Sequence, residues 1–314
     1  RDTDRSRGLG DVYKRQGTIG TIIVKYLVQL QTHCHILIGG RRSIKEIPMS
    51  TFYNTERLKY NQMNYNNDVE LDNFCSQCLL VINAVGPSFK INDKIALHAL
   101  RNNCHYIDIG GYGILRDLLK PYEKSIEDQK LCFIVGVGWM PGISGVFSKT
   151  IIETHLNSPE NTNFNIYYGA VDNWSYSSTY DLAASSMEKA RSYVYSHGKE
   201  IQVSPFRYTH HKFFPFIGHE KICMPSFDEQ LTQLATSLKQ IRNISTFVMI
   251  NDYISMGKFM FIKTFYKHKL NKATLMLQND YQRLVKKENK WGSVICQVSK
   301  IESERNIDTF YYLY

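Results

Sequence analysis

Two glycines and two arginines near the start of the chain have the types and spacing of a nucleotide-phosphate site. Gly17–Gly20 precedes an apolar, helix-like run to Leu30, and the next apolar segment ends in Gly39–Arg42. Glycines at such a turn let the backbone approach a pyrophosphate, which the N–H groups and dipole of a helix N-terminus attract. The pair matches the last two glycines of G-x-G-x-x-G, and the first position holds Arg15. We predict that Gly17, Thr18, Ile19 and Gly20 contact a dinucleotide.

The residues after the next strand indicate which dinucleotide would bind. An NAD site carries a carboxylate there for the ribose 2′-hydroxyl, whereas this chain has Gly40, Arg41 and Arg42. Two guanidinium groups can hold a 2′-phosphate, and no carboxylate repels it. We therefore expect NADP rather than NAD. The alternative is that the two arginines lie in a solvated loop.

Hydride transfer would also need one proton to be supplied or removed beside the cofactor. Asp108, which ends an apolar strand, is the candidate, as an acid, a base or a substrate contact, or alternatively as an acceptor that stabilises its loop. Other candidates are His105 and Tyr112, and in the second half of the chain Tyr180 and Asp181. Ser144 is predicted to start a helix or to contact a carboxylate, and His210-His211 to lie in a loop.

Several other classes of function have no support in the sequence. The hydrolase and P-loop signatures G-x-S-x-G, H-E-x-x-H and G-K-[ST] are absent. Cys75-Ser-Gln-Cys78 has no second pair to complete a zinc site, so we expect no metal. The seven cysteines are odd in number and scattered, as reduced cytosolic thiols are. With no long apolar span, these features predict a cytoplasmic protein without an integral membrane segment.

The excess positive charge lies in two short segments of the chain. The net charge is +9, of which residues 1–16 supply five basic and three acidic side chains and residues 258–290 nine and two. This distribution does not predict nucleic-acid binding. The 258–290 segment is interpreted as a solvated helical face, or alternatively as a contact for an acidic ligand or a membrane surface. Residues 1–16 resemble a translated cloning adaptor, and we expect the chain to be a fragment cut at both ends.

The order of predicted elements indicates two domains. Up to residue 148, apolar strands alternate with helices, which predicts the α/β class with a Rossmann, doubly wound parallel sheet whose first strand is lost. Residues 149–314 mix strand and helix patterns and end in two alternating segments that could pair as a hairpin. This mixture predicts an α+β second domain with an antiparallel sheet. We therefore divide the chain into residues 1–16, 17–148 and 149–314.

The loops taken in order resemble the saccharopine dehydrogenase-like NAD(P)-binding proteins. The matching segments are Gly17–Gly20, Ile38–Arg42, Val81–Pro87, His105–Gly111 and Gly138–Gly145. The resemblance implies an oxidoreductase that transfers a hydride between NADP(H) and an imine or secondary amine of an amino-acid-like substrate, working as a homodimer. It also implies that the α+β domain of residues 149–314 is the substrate and dimerisation domain. It further implies that Asp68 meets the adenine edge and that Asn83, Ala84, Val85 and Gly86 lie near the nicotinamide. An alternative is a noncatalytic NADPH-binding sensor or scaffold.

Overall fold

The computed structural model describes residues 18–30, 34–43, 57–110, 112–155, 162–188, 192–226, 229–238, 241–302 and 305–313. The contacts divide the chain into two compact units, residues 1–137 and 138–314. We describe each unit by itself.

The first unit alternates helices with short parallel strands. Each parallel connection needs a crossover, which the helices provide. The elements are α1 (Thr18–Gln29), β1 (Ile36–Gly40), β2 (Leu58–Gln62), α2 (Asp68–Cys75), β3 (Leu80–Asn83), α3 (Ser88–Ile91), α4 (Lys94–Arg101), β4 (His105–Asp108), α5 (Tyr112–Leu119), α6 (Glu123–Asp128) and β5 (Phe133–Ile134).

The five strands form two parallel ladders. β1 pairs with β2, and β3, β4 and β5 pair in that order. A Rossmann sheet has the strand order 3-2-1-4-5-6, so these ladders correspond to its positions 3-2 and 4-5-6. The residues before α1, where a first strand would lie, are outside the described residues, so its expected loss stays a prediction. The α/β class predicted from the sequence is confirmed.

Local sequence explains how one of these helices begins. The Asn67 side chain accepts hydrogen bonds from the backbone N–H groups of Val69 and Glu70, at 3.1 and 3.4 Å. The Glu70 carboxylate in turn accepts from the Asn67 amide at 2.7 Å and from the Asn64 N–H at 2.7 Å. This reciprocal capping satisfies donors that a helix start would leave unpaired. It places Asp68 in the first turn of α2.

The second unit is built on a mostly antiparallel sheet with helices. Its elements are α7 (Ile143–His155), β6 (Thr162–Val171), α8 (Tyr176–Glu188), β7 (Ser192–Ser196), β8 (Lys199–Val203), α9 (Pro205–Tyr208), β9 (His210–Phe214), β10 (His219–Pro225), α10 (Glu229–Ser237), β11 (Asn243–Ile250), α11 (Tyr253–Phe265), α12 (Leu270–Lys287), β12 (Trp291–Glu302) and β13 (Arg305–Leu313).

The main path of this sheet is β13-β12-β6-β11-β10-β9, and β7 adds to β11. Only the β6–β11 pair is parallel. Because alternate side chains of a strand point to opposite faces, β6 serves two cores. Phe164 and Ile166 pack with residues of α7 and α10, whereas Tyr167 packs with Phe247 and Ile295 on the other face.

One expectation about this unit was wrong. His210 and His211 lie in β9 and not in a loop, and β9 pairs with β10. β9 has three polar residues followed by two phenylalanines, so its sequence lacks the alternation of polar and apolar residues that predicts a strand. The hairpin expected at the C-terminal end is present as β12 and β13.

Candidate functional site

The start of α1 lies beside the loop that follows β3. A Cβ atom built on Gly20 would stand 3.8 Å from the Cβ of Ala84, an ordinary van der Waals contact. Two of the segments singled out from the sequence are therefore neighbours. Gly17 lies outside the described residues. Thr18 begins the helix, and Ile19 is half exposed.

The residues after β1 are held by their backbone. The Tyr60 hydroxyl donates to the carbonyl of Arg42 at 2.6 Å, and the Gln62 amide donates to the carbonyl of Arg41 at 3.3 Å. A Cβ on Gly40 would come within 2.7 Å of the Tyr60 hydroxyl oxygen, so a glycine is needed for this approach. The side chain of Arg41 is exposed. β2 therefore fixes the arginine pair at the end of β1 through main-chain contacts.

The loop after β3 is set by Asn83. Its side-chain oxygen accepts from the N–H of Val85 at 3.0 Å, and its carbonyl accepts from the N–H of Ile109 at 3.4 Å. The Gly86–Pro87 peptide bond that follows is cis. One residue therefore shapes the turn over Ala84 and Val85 and ties it to the end of β4.

Three buried polar side chains join the ends of β3 and β4. The Asp108 carboxylate oxygen Oδ2 accepts from the Tyr106 hydroxyl at 2.6 Å and from the Asn83 amide at 2.7 Å. The Asn83 amide also lies 3.1 Å from the Tyr106 hydroxyl oxygen, and all three residues are buried. We call Asn83, Tyr106 and Asp108 the buried polar triad. Buried polar groups are costly unless they are paired, and here each has a partner.

Burial sets the protonation of this triad. Loss of hydration raises the pKa of the Asp108 carboxyl, against hydrogen bonds from Tyr106, Asn83 and the backbone N–H of Gly110 that lower it. Burial, together with the charge and the hydrogen bond of Asp108, raises the pKa of the Tyr106 phenol far above its usual value. The phenol is therefore a donor at physiological pH. A carboxyl with a raised pKa is the kind of group that can exchange a proton.

Sequence reasoning missed Tyr106, although a signal was present. Residues two apart on a strand share a face, so a tyrosine two positions before Asp108 must point to the same side. The other candidates have different surroundings. His105 accepts the N–H of Cys132 at 2.9 Å through Nδ1, and nothing is described of the Tyr112 side chain. The role predicted for Asp108 stays a prediction.

Asp68 is engaged by a lysine. Its carboxylate lies 2.7 Å from Nζ of Lys94 and 3.6 Å from Nε2 of His98. The hydrogen bond and charge of Lys94 hold the pKa of Asp68 below its usual value. The carboxylate is two-thirds exposed, and its predicted contact with an adenine stays a prediction.

The loop before α7 belongs to the second unit. The Gln230 side chain accepts from the N–H of Gly142 at 2.8 Å and donates to its carbonyl at 3.2 Å. The N–H groups of Ile143 and Ser144 bind the carbonyls of Gly138 and Trp139. These donors of the helix start are therefore used within the loop. Ser144 is the second residue of α7, and its side chain is buried.

The remaining second-unit candidates lie in α8. Asp181 is buried and Tyr180 is half-buried, and burial raises the pKa of the Tyr180 phenol. The described residues contain no cluster of three or more His, Cys, Asp or Glu side chains that could hold a metal ion. All seven cysteines are free thiols. Among the described residues no helix is long and apolar enough to span a bilayer.

Comparison with known proteins gives only distant likeness. No family model and no curated protein matches the sequence. An engineered D-amino acid dehydrogenase with bound NADP+ matches 89% of this chain and 82% of its own at 7% identity and a TM-score of 0.36. A dehydrogenase of Clostridium difficile, MviM, matches 88% and 83% at 8% identity and a TM-score of 0.33. At such TM-scores the likeness carries no argument, so the function is argued from the residues.

Proposed function

We propose that the first unit binds NADP(H) and that the chain is an oxidoreductase. The observation that carries this is the contact between the start of α1 and the loop after β3, at the 3.8 Å distance from Gly20 to Ala84. In Rossmann folds dinucleotides bind beyond the carboxyl ends of the strands, where the first helix begins. The loop residues Asn83, Ala84, Val85 and Gly86 lie at such an end.

Arg41 and Arg42 give the proposed preference for NADP. They follow β1 directly, and the side chains of Tyr60 and Gln62 donate hydrogen bonds to their main-chain carbonyls. The exposed Arg41 guanidinium is available to a phosphate, which it can bind with two parallel hydrogen bonds. Gly40 keeps the backbone free of a side chain at this point.

The nicotinamide would supply the hydride chemistry, and the chain's own residues would position it. The proposed role of the buried polar triad is to hold the loop after β3 in one conformation. The raised pKa of Asp108 also suits it to hold a proton at its carboxylate near that loop. The substrate class we propose, an imine or secondary amine of an amino-acid-like compound, rests on the resemblance of the loops to saccharopine dehydrogenase-like proteins.

One observation favours a second candidate, a noncatalytic NADPH-binding sensor. Asp108 is buried and already accepts hydrogen bonds from Tyr106, Asn83 and Gly110. A carboxylate that already accepts these hydrogen bonds can stabilise the loop without contacting a substrate. Absorbance at the nicotinamide band separates the two functions. Oxidation of NADPH with a keto acid and an amine indicates the enzyme, and binding without turnover indicates the sensor.

Titration of NADPH and NADH into the protein tests the cofactor assignment. We expect the Arg41→Ala/Arg42→Ala variant to bind NADPH about 10- to 100-fold more weakly, because each charge-assisted hydrogen bond contributes about 1.5–3 kcal/mol. NADH binding should be unchanged. Arg101→Ala, an exposed arginine on α4, is the matched control. Unchanged NADPH affinity in the double variant would show that the arginines do not hold the phosphate.

A further inference from the structure

Helix α11 presents apolar side chains to solvent along one side. Ile254, Phe261 and Phe265 are 55%, 41% and 63% exposed, and Ile262 is the one fully buried side chain of the helix. At 100° per residue the three exposed positions lie within about 40° of one another around the helix axis. Gly257 lies on the same side, and a Cβ built there would meet nothing within 4 Å. We call Ile254, Phe261 and Phe265 the apolar stripe.

The stripe is a continuous aromatic surface at its C-terminal end. The rings of Phe261 and Phe265 lie 4.8 Å apart between centroids, and Tyr266 meets the Phe261 ring edge-on at 5.3 Å. Soluble domains expose single apolar residues often, whereas a stripe at helical spacing marks an interaction site. The side of α11 next to the stripe packs on α12: Lys258 and Ser255, about 40° and 100° around the axis from Ile254, contact residues of α12.

A dense positive charge adjoins the stripe. Lys267, Lys269 and Lys272 follow within seven residues of Phe265, and all three are exposed. The sequence from Tyr253 to Asn279 contains no acidic residue. The nearest carboxylate along the chain, Asp280, is buried and bound by Lys258 and Arg283. Within the described residues these three lysines therefore have no acidic partner close to them along the chain.

We propose that α11 and the turn after it bind the surface of an anionic phospholipid bilayer. Exposed aromatic and aliphatic side chains on one side of a helix, with lysines beside them, suit the boundary between headgroups and acyl chains. Lysines near such a surface each favour binding by about fivefold through attraction to acidic lipids. A lipid surface is the proposed partner because lysines lie next to exposed apolar side chains here, just as anionic headgroups lie next to acyl chains in a bilayer. α11, with 13 residues, would lie on the surface and not cross it.

Flotation of the full chain with lipid vesicles tests the proposal. We expect binding to vesicles of phosphatidylcholine with 30% phosphatidylserine and little binding to phosphatidylcholine alone. Lys267→Glu/Lys269→Glu/Lys272→Glu should reduce binding to the anionic vesicles by more than 100-fold, and added salt should weaken the binding of the unsubstituted chain. Phe261→Asn/Phe265→Asn should reduce binding at least tenfold. Circular dichroism checks that each variant is folded.

Matched controls separate this site from a general effect of charge. Lys59→Glu/Lys124→Glu/Lys199→Glu changes three exposed lysines on other elements, and Phe213→Asn removes an aromatic ring that is 57% exposed elsewhere in the second unit. These variants should bind vesicles within about threefold of the unsubstituted chain. Equal losses in test and control variants, or no binding to anionic vesicles, would overturn the proposal. A dimer that the Phe261→Asn/Phe265→Asn variant dissociates, without vesicle binding, would instead assign the stripe to self-association.

Discussion

Removing the Tyr106 hydroxyl tests the buried polar triad. Tyr106→Phe keeps the ring, which packs 5.4 Å from that of Phe133, and deletes the 2.6 Å hydrogen bond to Asp108. A hydrogen bond to a charged group contributes about 1.5–3 kcal/mol. We therefore expect amide hydrogens of β3 and β4 to exchange about 10- to 150-fold faster at neutral pH. Hydrogen exchange suits this unit because all three tryptophans lie in the second.

The pH dependence of the same variant distinguishes a charged from a neutral carboxyl. Burial raises the pKa of Asp108 above 3.8, so the folded state binds more protons than the unfolded chain between the two pKa values. The stability that this proton uptake contributes is present at low pH and is lost as pH rises through the folded pKa. The Tyr106 bond lowers that pKa, so its loss should raise the pKa further.

The loss of stability in Tyr106→Phe, seen as faster amide exchange, should therefore be largest at neutral pH and become smaller as Asp108 is protonated. The measurement is the ratio of variant to unsubstituted exchange rates at matched pH, from neutral to about pH 4. Phe133→Leu, which changes packing beside Tyr106 without removing a hydrogen bond, is the control. A ratio that is constant across this range, or a ratio near one at neutral pH, would refute the account of the triad.

Four further outcomes follow from the described residues. Arg283 donates two bonds to the Asp252 carboxylate, at 2.7 and 2.9 Å, so Arg283→Lys should lower the free energy of unfolding of the second unit by about 2 kcal/mol in tryptophan-monitored denaturation. Burial raises the pKa of Asp252, but the hydrogen bonds from Arg283 and Ser255 outweigh it and hold this pKa well below 3.8. The stability that the Asp252 carboxylate contributes should therefore be present above pH 3.8 and be lost as pH falls through the folded pKa. Acid titration of the tryptophan signal measures this loss. Gln230→Ala should speed exchange of the Gly142 amide by about tenfold, with Gln202→Ala, an exposed glutamine on β8, leaving it unchanged. Burial raises the pKa of Cys75, Cys223 and Cys296 to about 12, so a thiol reagent should modify the exposed Cys34 and Cys132 first, as peptide mapping would show.

Local sequence was sufficient where the decisive contacts are close along the chain. The alternation of apolar strands with helices predicted the parallel strands of the first unit, because each strand is short, apolar and followed by a crossover. The sequence placed Gly39 and Gly40 at the end of a strand, and the structure adds their close neighbours, Phe74 and Tyr60. The basic 258–290 segment was visible as composition, and its two interpretations stayed open.

Tertiary structure decided which residues meet. The triad joins residues 83, 106 and 108. Asn83 is close to Asp108 because the two residues are paired in the parallel ladder of β3 and β4, which the sequence does not show. Contacts assign the loop at 138–144 to the second unit, whereas the sequence suggested a division after residue 148. Gly142 of this loop binds Gln230, which is 88 residues further along the chain, so the sequence does not indicate this contact. The exposure of Phe261 and Phe265 likewise depends on which side of α11 packs on α12, and that side carries Ile262. Periodicity along a chain shows which residues share a face, but only packing decides whether that face is buried, bonded or left to solvent.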